Sequence, residues 1–368
     1  MPPALSRHVS IIYNKNEYHL QDFIHHFNNS KDQYLQSIIA FIVDWNSSSD
    51  HIFQSTSGST GKPKRIKIQK SQIKSSALAT LETLNLKEGD KALLCINPSF
   101  IGGKMMIARA LIGGLDLHIA PISGNPLIDF IDNSIIDFFS FVPYQMERII
   151  EESPESIKYL ERSKAIILGG APVPDNLAQK IKSHFYNTKV YSTYGMTETV
   201  SHVALKRINS AKEECFNALK GVSFSVDNRN CLIVNAPKIS GQDSLLTNDV
   251  VELISLTQFN WLGRYDFVIN SGGIKIHPEI IEKEIASIFS EFNISNRFFV
   301  FGLPHEKFGE SLNLVLEGDV ATENIPKILK SKLEAFQAPK QIFTIDEFAE
   351  TENGKINRKR TIETILEQ

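Results

Sequence analysis

The sequence predicts an α/β protein built as a large N-terminal α/β domain followed by a small α+β C-terminal domain. Between about residues 67 and 195, short apolar runs alternate with amphipathic helical patterns, which is typical of βαβ units and a largely parallel sheet. After Arg207 the chain changes to short strand-like segments. The last ~100 residues are enough for a separate small domain. We therefore expect domains at 1–265 and 266–368.

The helices and strands of the large domain alternate in order along the chain. In the first of these helices Ile73, Ala77 and Leu81 share one face, and Ser71 is the expected N-cap. Ligands bind at the carboxyl ends of parallel strands, so the glycines at 169–170 and 195 mark the expected site. The predicted strands are 92–96, 117–121, 137–142, 165–170 and 189–195, and the predicted later helices are 105–114, 144–152 and 176–185.

Composition argues against several classes of protein. A net charge of −3 with 22% charged residues does not suit a nucleic-acid-binding surface over the whole chain. The three cysteines, Cys95, Cys215 and Cys231, have neither disulfide-framework nor zinc-site spacing. No apolar run approaches the ~20 residues that cross a bilayer, and the first residues lack the apolar core of a secretory signal. We expect a cytoplasmic protein without a membrane span.

A loop rich in hydroxyl groups and glycines, Thr56 to Lys64, is the first candidate for chemistry. It does not match the P-loop pattern, because Thr56 stands where the first glycine belongs and Pro63 follows Lys62. Backbone N–H groups around glycines can still form an anion-binding nest. On composition alone, however, an ordinary polar loop is the more frequent outcome.

Two further positions could contribute to a nucleotide site. Thr197 could donate to a phosphate, and Glu198 is the kind of oxygen ligand that Mg²⁺ shares with phosphates. The alternative is a capping pattern at a helix start. Asp249 could accept from two ribose hydroxyls with Arg264 as a donor nearby, or the two could form a surface ion pair.

Near the C-terminus, Lys355 follows a glycine in a segment that reads as an exposed turn. A lysine there could enter a site and neutralise negative charge that develops during a reaction. The alternative is a solvated basic tail.

Taken together and in order, these motifs resemble the adenylate-forming superfamily of acyl-CoA synthetases, adenylation domains and luciferases. The resemblance covers about residues 50 to 360, and five or six ordered motifs make it specific. The matching motifs are TSGSTGKPK (56–64), GGAPVP (169–174), YGMTET (194–199), the aspartate of TND (247–249), GRYDFVINSGGIKIHPEIIE (263–282) and NGK (353–355).

The resemblance implies a role for each matched position. The loop over the β- and γ-phosphates of ATP would comprise Thr56, Ser57, Gly58, Ser59, Thr60, Gly61 and Lys64. The adenine pocket would comprise Gly169, Gly170, Ala171, Pro172, Tyr194 and Gly195, with Tyr194 stacked on the base. The remaining expected roles are Thr197 on the α-phosphate, Glu198 on Mg²⁺, Asp249 and Arg264 on the ribose, Asp266 as hinge, Lys355 as catalytic lysine, and Gly272 and Gly273 along the thiol tunnel.

The implied reaction has two halves, with ATP, Mg²⁺ and coenzyme A taking part. A carboxylate attacks the α-phosphorus to give an acyl-adenylate and pyrophosphate; a small mobile C-terminal domain then rotates, and a thiol releases AMP. The chain departs from the family in two places. Only about 54 residues precede the phosphate loop, so the N-terminal subdomain is expected to be truncated, and Asn248 replaces the usual glycine before the aspartate.

Within the superfamily, the YGMTETVSHVALK segment and the IGGKMM segment resemble most the o-succinylbenzoate–CoA ligases of menaquinone biosynthesis. That acid carries a second carboxylate, for which Lys104, His202 and Ser201 are candidate partners, while Phe100 is a candidate apolar wall. A surface lysine, a capping histidine and a core phenylalanine are the plain alternatives. The competing functions are another aryl- or acyl-CoA ligase, a free-standing adenylation domain that loads a carrier protein, and a non-catalytic nucleotide-binding protein.

Overall fold

The structure is a computed structural model that describes residues 9–56, 64–128, 130, 134–210, 212–319, 322–350 and 356–367. For Ser55, Thr56 and Lys64 only the backbone is described. Six predicted site residues lie outside the described residues, namely Ser57, Gly58, Ser59, Thr60, Gly61 and Lys355. None of the described helices is both long and apolar enough to cross a membrane.

The described strands, in chain order, are β1 (Ser10–Tyr13), β2 (Asn16–His19), β3 (His51–Thr56), β4 (Lys64–Gln69), β5 (Lys91–Leu94), β6 (Asp116–Ile119), β7 (Phe138–Phe141), β8 (Ala165–Leu168), β9 (Lys189–Gly195), β10 (His202–Arg207), β11 (Phe216–Ala218), β12 (Ser223–Val226), β13 (Cys231–Asn235), β14 (Leu245–Ser255), β15 (Gln258–Arg264), β16 (Ile269–Ser271), β17 (Ile274–Ile276), β18 (Phe298–His305), β19 (Gly309–Glu317) and β20 (Ile342–Ile345).

The described α-helices are α1 (Leu20–Phe27), α2 (Gln33–Asn46), α3 (Lys70–Thr83), α4 (Ile101–Gly113), α5 (Pro143–Glu152), α6 (Pro154–Leu160), α7 (Asp175–His184), α8 (Pro237–Ser240), α9 (Pro278–Glu291), α10 (Ile325–Lys332) and α11 (Arg358–Glu367).

A 13-stranded sheet dominates the first part of the chain, in the order β12-β13-β14-β15-β11-β10-β9-β8-β7-β5-β6-β1-β2. Pairing is parallel from β1 through β6, β5, β7 and β8 to β9. From β9 through β10 and β11 to β12 it is antiparallel. The parallel sheet predicted for about residues 67–195 is confirmed. The short strands expected after Arg207 pair antiparallel, because they follow one another through short connections without crossover helices.

Alternate residues of the parallel strands enter two separate apolar cores, one on each face of the sheet. On β7, Phe138 joins the core that contains the inner faces of α3 and α4, whereas Phe139 and Phe141 join the core with α5 and α7. Residues of β8 alternate in the same way, with Ile167 on the first face and Ile166 on the second. Period-two alternation of apolar residues on both faces is expected for a buried parallel sheet covered by helices.

The first helix of the parallel region confirms the predicted apolar face but corrects its start. Ile73, Ala77 and Leu81 are all buried, as expected. Helix α3 begins at Lys70, and the N-cap is Gln69, not Ser71. The Gln69 backbone N–H donates to the Gln72 side chain at 2.8 Å, so a glutamine capping box has replaced the predicted serine cap.

The C-terminal part has its own sheet and its own cores. Strands β17, β16, β19 and β18 are neighbours in that order, and β20 pairs with β19. Helices α9 and α10 cover one face, and α11 packs on the other. The sheet begins at Ile269, shortly after the boundary proposed at about residue 265. Contacts to the first part include the Arg264 backbone N–H with Glu279 (3.3 Å) and Lys283 with Asp175 (3.7 Å).

Candidate active site

Two glycines follow β8 where its carboxyl end lies beside β9. A Cβ atom at Gly169 would come within 2.8 Å of Thr193 Oγ1, and Thr193 itself donates to the Leu168 carbonyl (3.1 Å). Gly170 has φ +85°, which a residue with a side chain rarely adopts. Gly169 is half-buried, whereas Gly170, Ala171 and Pro172 are exposed, so a ligand can approach the backbone at this end of β8.

Gly195 ends β9 at a close crossing of two backbone segments. It pairs with His202 of β10, and a Cβ atom there would lie 2.3 Å from the Ser201 carbonyl oxygen. The turn between the two strands contains Val200 at φ 62°, a strained conformation for a β-branched residue. Strain of this kind clusters at functional sites, and the turn presents Thr197 half-buried and Glu198 exposed.

Glu198 could bind Mg²⁺ only together with oxygen ligands from outside the protein, such as phosphate oxygens and waters. In the described part of the chain, no cluster of three His, Cys, Asp or Glu side chains could hold a metal. Mg²⁺ in nucleotide sites is held by one or two carboxylates together with phosphate oxygens and waters. An exposed carboxylate beside Thr197 has the chemistry that such a shared site requires.

Asp249 lies 8% exposed in the middle of β14, directly opposite Arg264 of β15. Tyr194 Oη donates to Asp249 Oδ2 (2.6 Å), and Trp261 Nε1 donates to Oδ1 (3.2 Å). Arg264 Nη1 is 3.8 Å from Oδ1. The structure thus brings together three residues that the motifs singled out, and it adds Trp261, which sequence reasoning missed.

The Tyr194 ring packs against an aromatic cluster that contains Phe216, Phe224 and Phe259. It meets Phe259 edge-on at a centroid distance of 5.0 Å and Phe216 at 5.7 Å. Burial, followed by the Asp249 carboxylate, raises the pKa of the Tyr194 phenol. The phenol therefore remains protonated near neutral pH and acts as a hydrogen-bond donor to Asp249.

Asp249, Tyr194, Trp261 and Arg264 form a first polar corner of the site. Asp266, the expected hinge residue, is hydrogen-bonded to this corner. Arg264 Nη2 donates to Asp266 Oδ2 (2.7 Å), and Asn248 Nδ2 donates to Oδ1 (3.1 Å). Asn248 is the residue that departs from the family pattern. In this chain it supplies an additional, solvent-exposed bond between β14 and the segment after β15.

A second polar corner lies next to the turn between β9 and β10. It is formed by Arg109 of α4, Thr80 of α3, and Ser201 and His202. Arg109 is 1% exposed, and its Nη2 donates to Ser201 Oγ (2.9 Å). Its Nε has no hydrogen-bond partner, and no carboxylate pairs with it within the described residues. Burial lowers the pKa of the Arg109 guanidinium to about 9.

His202, a predicted substrate residue, is buried in this second corner. Its Nε2 lies 3.2 Å from Thr80 Oγ1, and its Nδ1 lies 3.4 Å from Ser201 Oγ. Burial, followed by the neighbouring Arg109, lowers the pKa of His202 well below its ordinary value. The imidazole is therefore neutral near pH 7, and Arg109 is the cationic group of the corner.

The described contacts of Lys104 and Phe100, the other two predicted substrate residues, do not involve this second corner. Lys104 Nζ donates to the Phe53 carbonyl of β3 (3.0 Å), and burial lowers the pKa of its ammonium group. Phe100 precedes α4 and is 51% exposed. Lys104 therefore connects α4 to β3, the strand that leads into the predicted phosphate loop. At the two ends of that loop, the backbones of Thr56 and Lys64 pair with each other.

Gly272 and Gly273 form the turn between β16 and β17, with φ values of +61° and +84°. Both are exposed, and the Gly272 N–H donates to the Phe308 carbonyl (2.8 Å). Glycine is required here because both residues adopt the left-handed region. The turn leaves its backbone accessible at the surface of the C-terminal sheet.

Comparison with known proteins identifies the family. A family described as AMP-binding enzyme matches residues 15–238. A 2-succinylbenzoate–CoA ligase of Lactococcus lactis is 25% identical over 84% of this chain and 70% of its own length. A solved acyl-CoA synthetase (AMP-forming)/AMP-acid ligase II-like protein of Dyadobacter fermentans is 35% identical, with a TM-score of 0.61 over 91% of this chain and 95% of that one.

The overall fold also matches the o-succinylbenzoate coenzyme A synthetase of Bacillus subtilis in complex with ATP and magnesium ion, with a TM-score of 0.72. That protein is 21% identical, and the match covers 84% of this chain and 69% of the other. The adenylate-forming fold with a smaller C-terminal domain, predicted from the motifs, is thereby confirmed. The chain belongs to the AMP-binding enzyme family, and its class is that of AMP-forming acid–CoA ligases.

Proposed function

We propose that this enzyme joins 2-succinylbenzoate to coenzyme A through an acyl-adenylate. The observation that carries the proposal is Arg109, a buried guanidinium with a single hydrogen bond and no carboxylate partner in the described residues. An uncompensated charge in the interior costs several kcal/mol, roughly. A substrate that brings its own buried carboxylate would remove that cost.

The diacid matches this corner because only one of its carboxylates reacts. The succinyl carboxylate must reach the α-phosphorus, while the ring carboxylate needs a cationic or hydrogen-bonding partner. Arg109 can supply a charge-assisted, two-pronged contact, and Ser201 and neutral His202 can supply hydroxyl and imidazole hydrogen bonds beside it. Relatives named 2-succinylbenzoate–CoA ligase support the same substrate.

For the nucleotide we propose the roles expected from the motifs. Asp249, which is opposite Arg264, would receive the ribose hydroxyls. The adenine would lie against the open backbone at Gly169 and Gly170, beside Tyr194. Thr197 would donate to the α-phosphate, and the loop from Thr56 to Lys64 would close over the β- and γ-phosphates.

Glu198 would hold Mg²⁺ together with phosphate oxygens. When bound, the ion would supply positive charge that stabilises negative charge on the phosphates and on the pyrophosphate leaving group. This chain's own residues then complete the polar surroundings. The N–H groups of the turn after Gly195 and the Thr197 hydroxyl orient the α-phosphate, so that the acid carboxylate approaches it in line.

We propose that Lys355 stabilises charge during adenylation and that the C-terminal domain moves between the two half-reactions. The described residues on both sides of Lys355 are tethered to the C-terminal sheet and its helix. Arg297 Nη1 bonds Glu350 (2.6 Å), and Arg358 Nη2 bonds Glu282 of α9 (2.8 Å). These pairs would limit where the lysine can reach, which supports a role that depends on domain position.

The test is release of pyrophosphate with ATP and Mg²⁺ across a panel of acids, with and without coenzyme A. We expect release and CoA thioester formation with 2-succinylbenzoate. Release with benzoates or fatty acids but not with the diacid would overturn the substrate. Release followed by transfer only to a carrier-protein thiol would favour a free-standing adenylation domain, and no release with any acid would overturn the proposed ligase.

A further inference from the structure

Two side chains of this chain hold the carboxylate of Asp249 through hydrogen bonds. We propose that Trp261 is a positioning residue that, with Tyr194, fixes the plane of this carboxylate and so sets a preference for ribonucleotides over 2′-deoxyribonucleotides. The inference rests on the proposed ribose-binding role of Asp249. It adds a residue that the family motifs did not point to.

Each oxygen of Asp249 accepts one side-chain hydrogen bond. Trp261 Nε1 is 3.2 Å from Oδ1, and Tyr194 Oη is 2.6 Å from Oδ2. A carboxylate oxygen has two acceptor positions, so one position on each oxygen remains for a ligand. Two vicinal hydroxyls match two such positions, whereas a single hydroxyl leaves one buried acceptor without a donor.

An irregularity in strand pairing turns Trp261 toward Asp249. Asp249 pairs with Arg264 and Val250 with Gly263, but Val251 then pairs with Trp261. The bulge skips Leu262, which regular alternation would have placed on the same face as Asp249. Bulges beside active sites commonly re-aim a side chain in this way, and here the re-aimed side chain carries an indole N–H.

The opposite donor is equally fixed. Tyr194 is wedged by Phe259 and Phe216, and Phe224 packs edge-on against Phe259 at 4.9 Å. Both donors therefore sit on rigid aromatic rings with few rotamers. A carboxylate held from two sides cannot rotate freely to favour a single hydroxyl, so the ligand must present both, as preorganised binding sites require.

The test compares ATP with 2′-deoxy-ATP in the full-length enzyme and in Trp261→Phe, which keeps an aromatic ring but removes the N–H donor. We expect the KM for ATP to rise about tenfold, as for loss of a hydrogen bond to a charged acceptor. The KM for 2′-deoxy-ATP and the kcat for both nucleotides should change less than about twofold. Asn260→Ala is the matched control, because Asn260 lies on the same strand and its side chain bonds exposed Glu252.

The ratio of the KM values for 2′-deoxy-ATP and ATP distinguishes a positioning role of Trp261 from a nonspecific loss of structure. Only a positioning role changes this ratio. An unchanged ATP preference in Trp261→Phe, or an equal loss for both nucleotides, would overturn the inference. If Trp261→Phe does not fold, Tyr194→Phe removes the other donor, and the same ratio decides. Calorimetric binding of AMP and 2′-deoxy-AMP gives the same comparison without turnover, so the inference can fail or hold even if no acid in the panel is activated.

Discussion

The two polar corners of the site differ in how far the chain itself satisfies their buried charge. Asp249 has one donor on each oxygen and Arg264 within 3.8 Å. Arg109 has one bond, to Ser201, and an Nε with no partner in the described residues. In the first corner the chain itself supplies a donor to each oxygen of the charged group, whereas in the second it leaves a buried guanidinium nitrogen without a partner among the described residues. We therefore expect the second corner to bear most directly on the choice of substrate.

The comparison also separates the energetic roles of the two groups. Removing a buried charge that its surroundings already satisfy leaves donors unpaired, and stability falls. Removing a buried charge that no opposite charge compensates relieves a desolvation penalty. The same kind of substitution should thus have opposite effects on stability in the two corners, while both reduce activity.

The largest expected effect comes from Arg109→Met. We expect kcat/KM for 2-succinylbenzoate to fall about 100-fold or more, because a buried partner of the substrate carboxylate is lost. The KM for ATP should change little, and the free energy of unfolding should stay the same or rise. Steady-state pyrophosphate release and urea unfolding measure both. A large loss of stability would show that Arg109 serves the fold.

Asp249→Asn should raise the KM for ATP by about tenfold or more, because the amide no longer offers two charged acceptors to the ribose. It should also lower the free energy of unfolding by about 1–3 kcal/mol, since either Trp261 or Tyr194 then faces an amide N–H₂ group. Kinetics with ATP and chemical unfolding check the two effects. An unchanged KM would remove Asp249 from the ribose site.

A third prediction concerns pH. The folded-state pKa of His202 lies below its ordinary value of 6.5, so the folded protein binds fewer protons than the unfolded chain below pH 6.5. The corresponding stability is present above that pH and is lost as pH falls, by about 1.4 kcal/mol per pH unit at most. His202→Gln should flatten this slope in urea unfolding between pH 5 and 7. An identical slope in the variant would contradict the assignment of the titration to His202.

The smallest effect is expected from Asn248→Ala at the rim of the Asp249 corner. Its bond to Asp266 is solvent-exposed, and exposed polar pairs contribute little, about 0–1 kcal/mol. The KM for ATP should change less than about threefold. A larger change would mean that the Asp266 segment, and not only the buried donors, controls nucleotide binding.

The motifs led to part of each corner: in the second they pointed to Ser201 and His202 but not to Arg109. Asp249, Arg264 and Tyr194 lie in ordered motifs, and the structure brings them together. Trp261 was missed because its orientation depends on a strand bulge, which alternation in the sequence does not reveal. Arg109 was missed because it lies within a continuous apolar helix, where a long side chain is normally expected to reach solvent.

The fold was predicted best where periodicity is strong. The alternation of β5 to β9 with helices was found from the sequence, with strand ends displaced by a few residues. The short strands after Arg207 were also expected, but their antiparallel pairing was not, because pairing between short strands is set by long-range contacts that local patterns do not encode. The roles of all the predicted site residues remain predictions from the motifs, and Lys355 and Ser57 to Gly61 also lie outside the described residues.

The most direct measurement uses two acids that differ only in the ring carboxylate, 2-succinylbenzoate and 4-oxo-4-phenylbutanoate. Their kcat/KM values for pyrophosphate release are compared in the wild type and in Arg109→Met. We expect the wild type to prefer the diacid by about 100-fold, and the preference to shrink to within about threefold in the variant, with the monoacid little affected. A preference that survives in Arg109→Met, or an enzyme that never distinguished the two acids, would contradict the assignment of Arg109 to the second carboxylate.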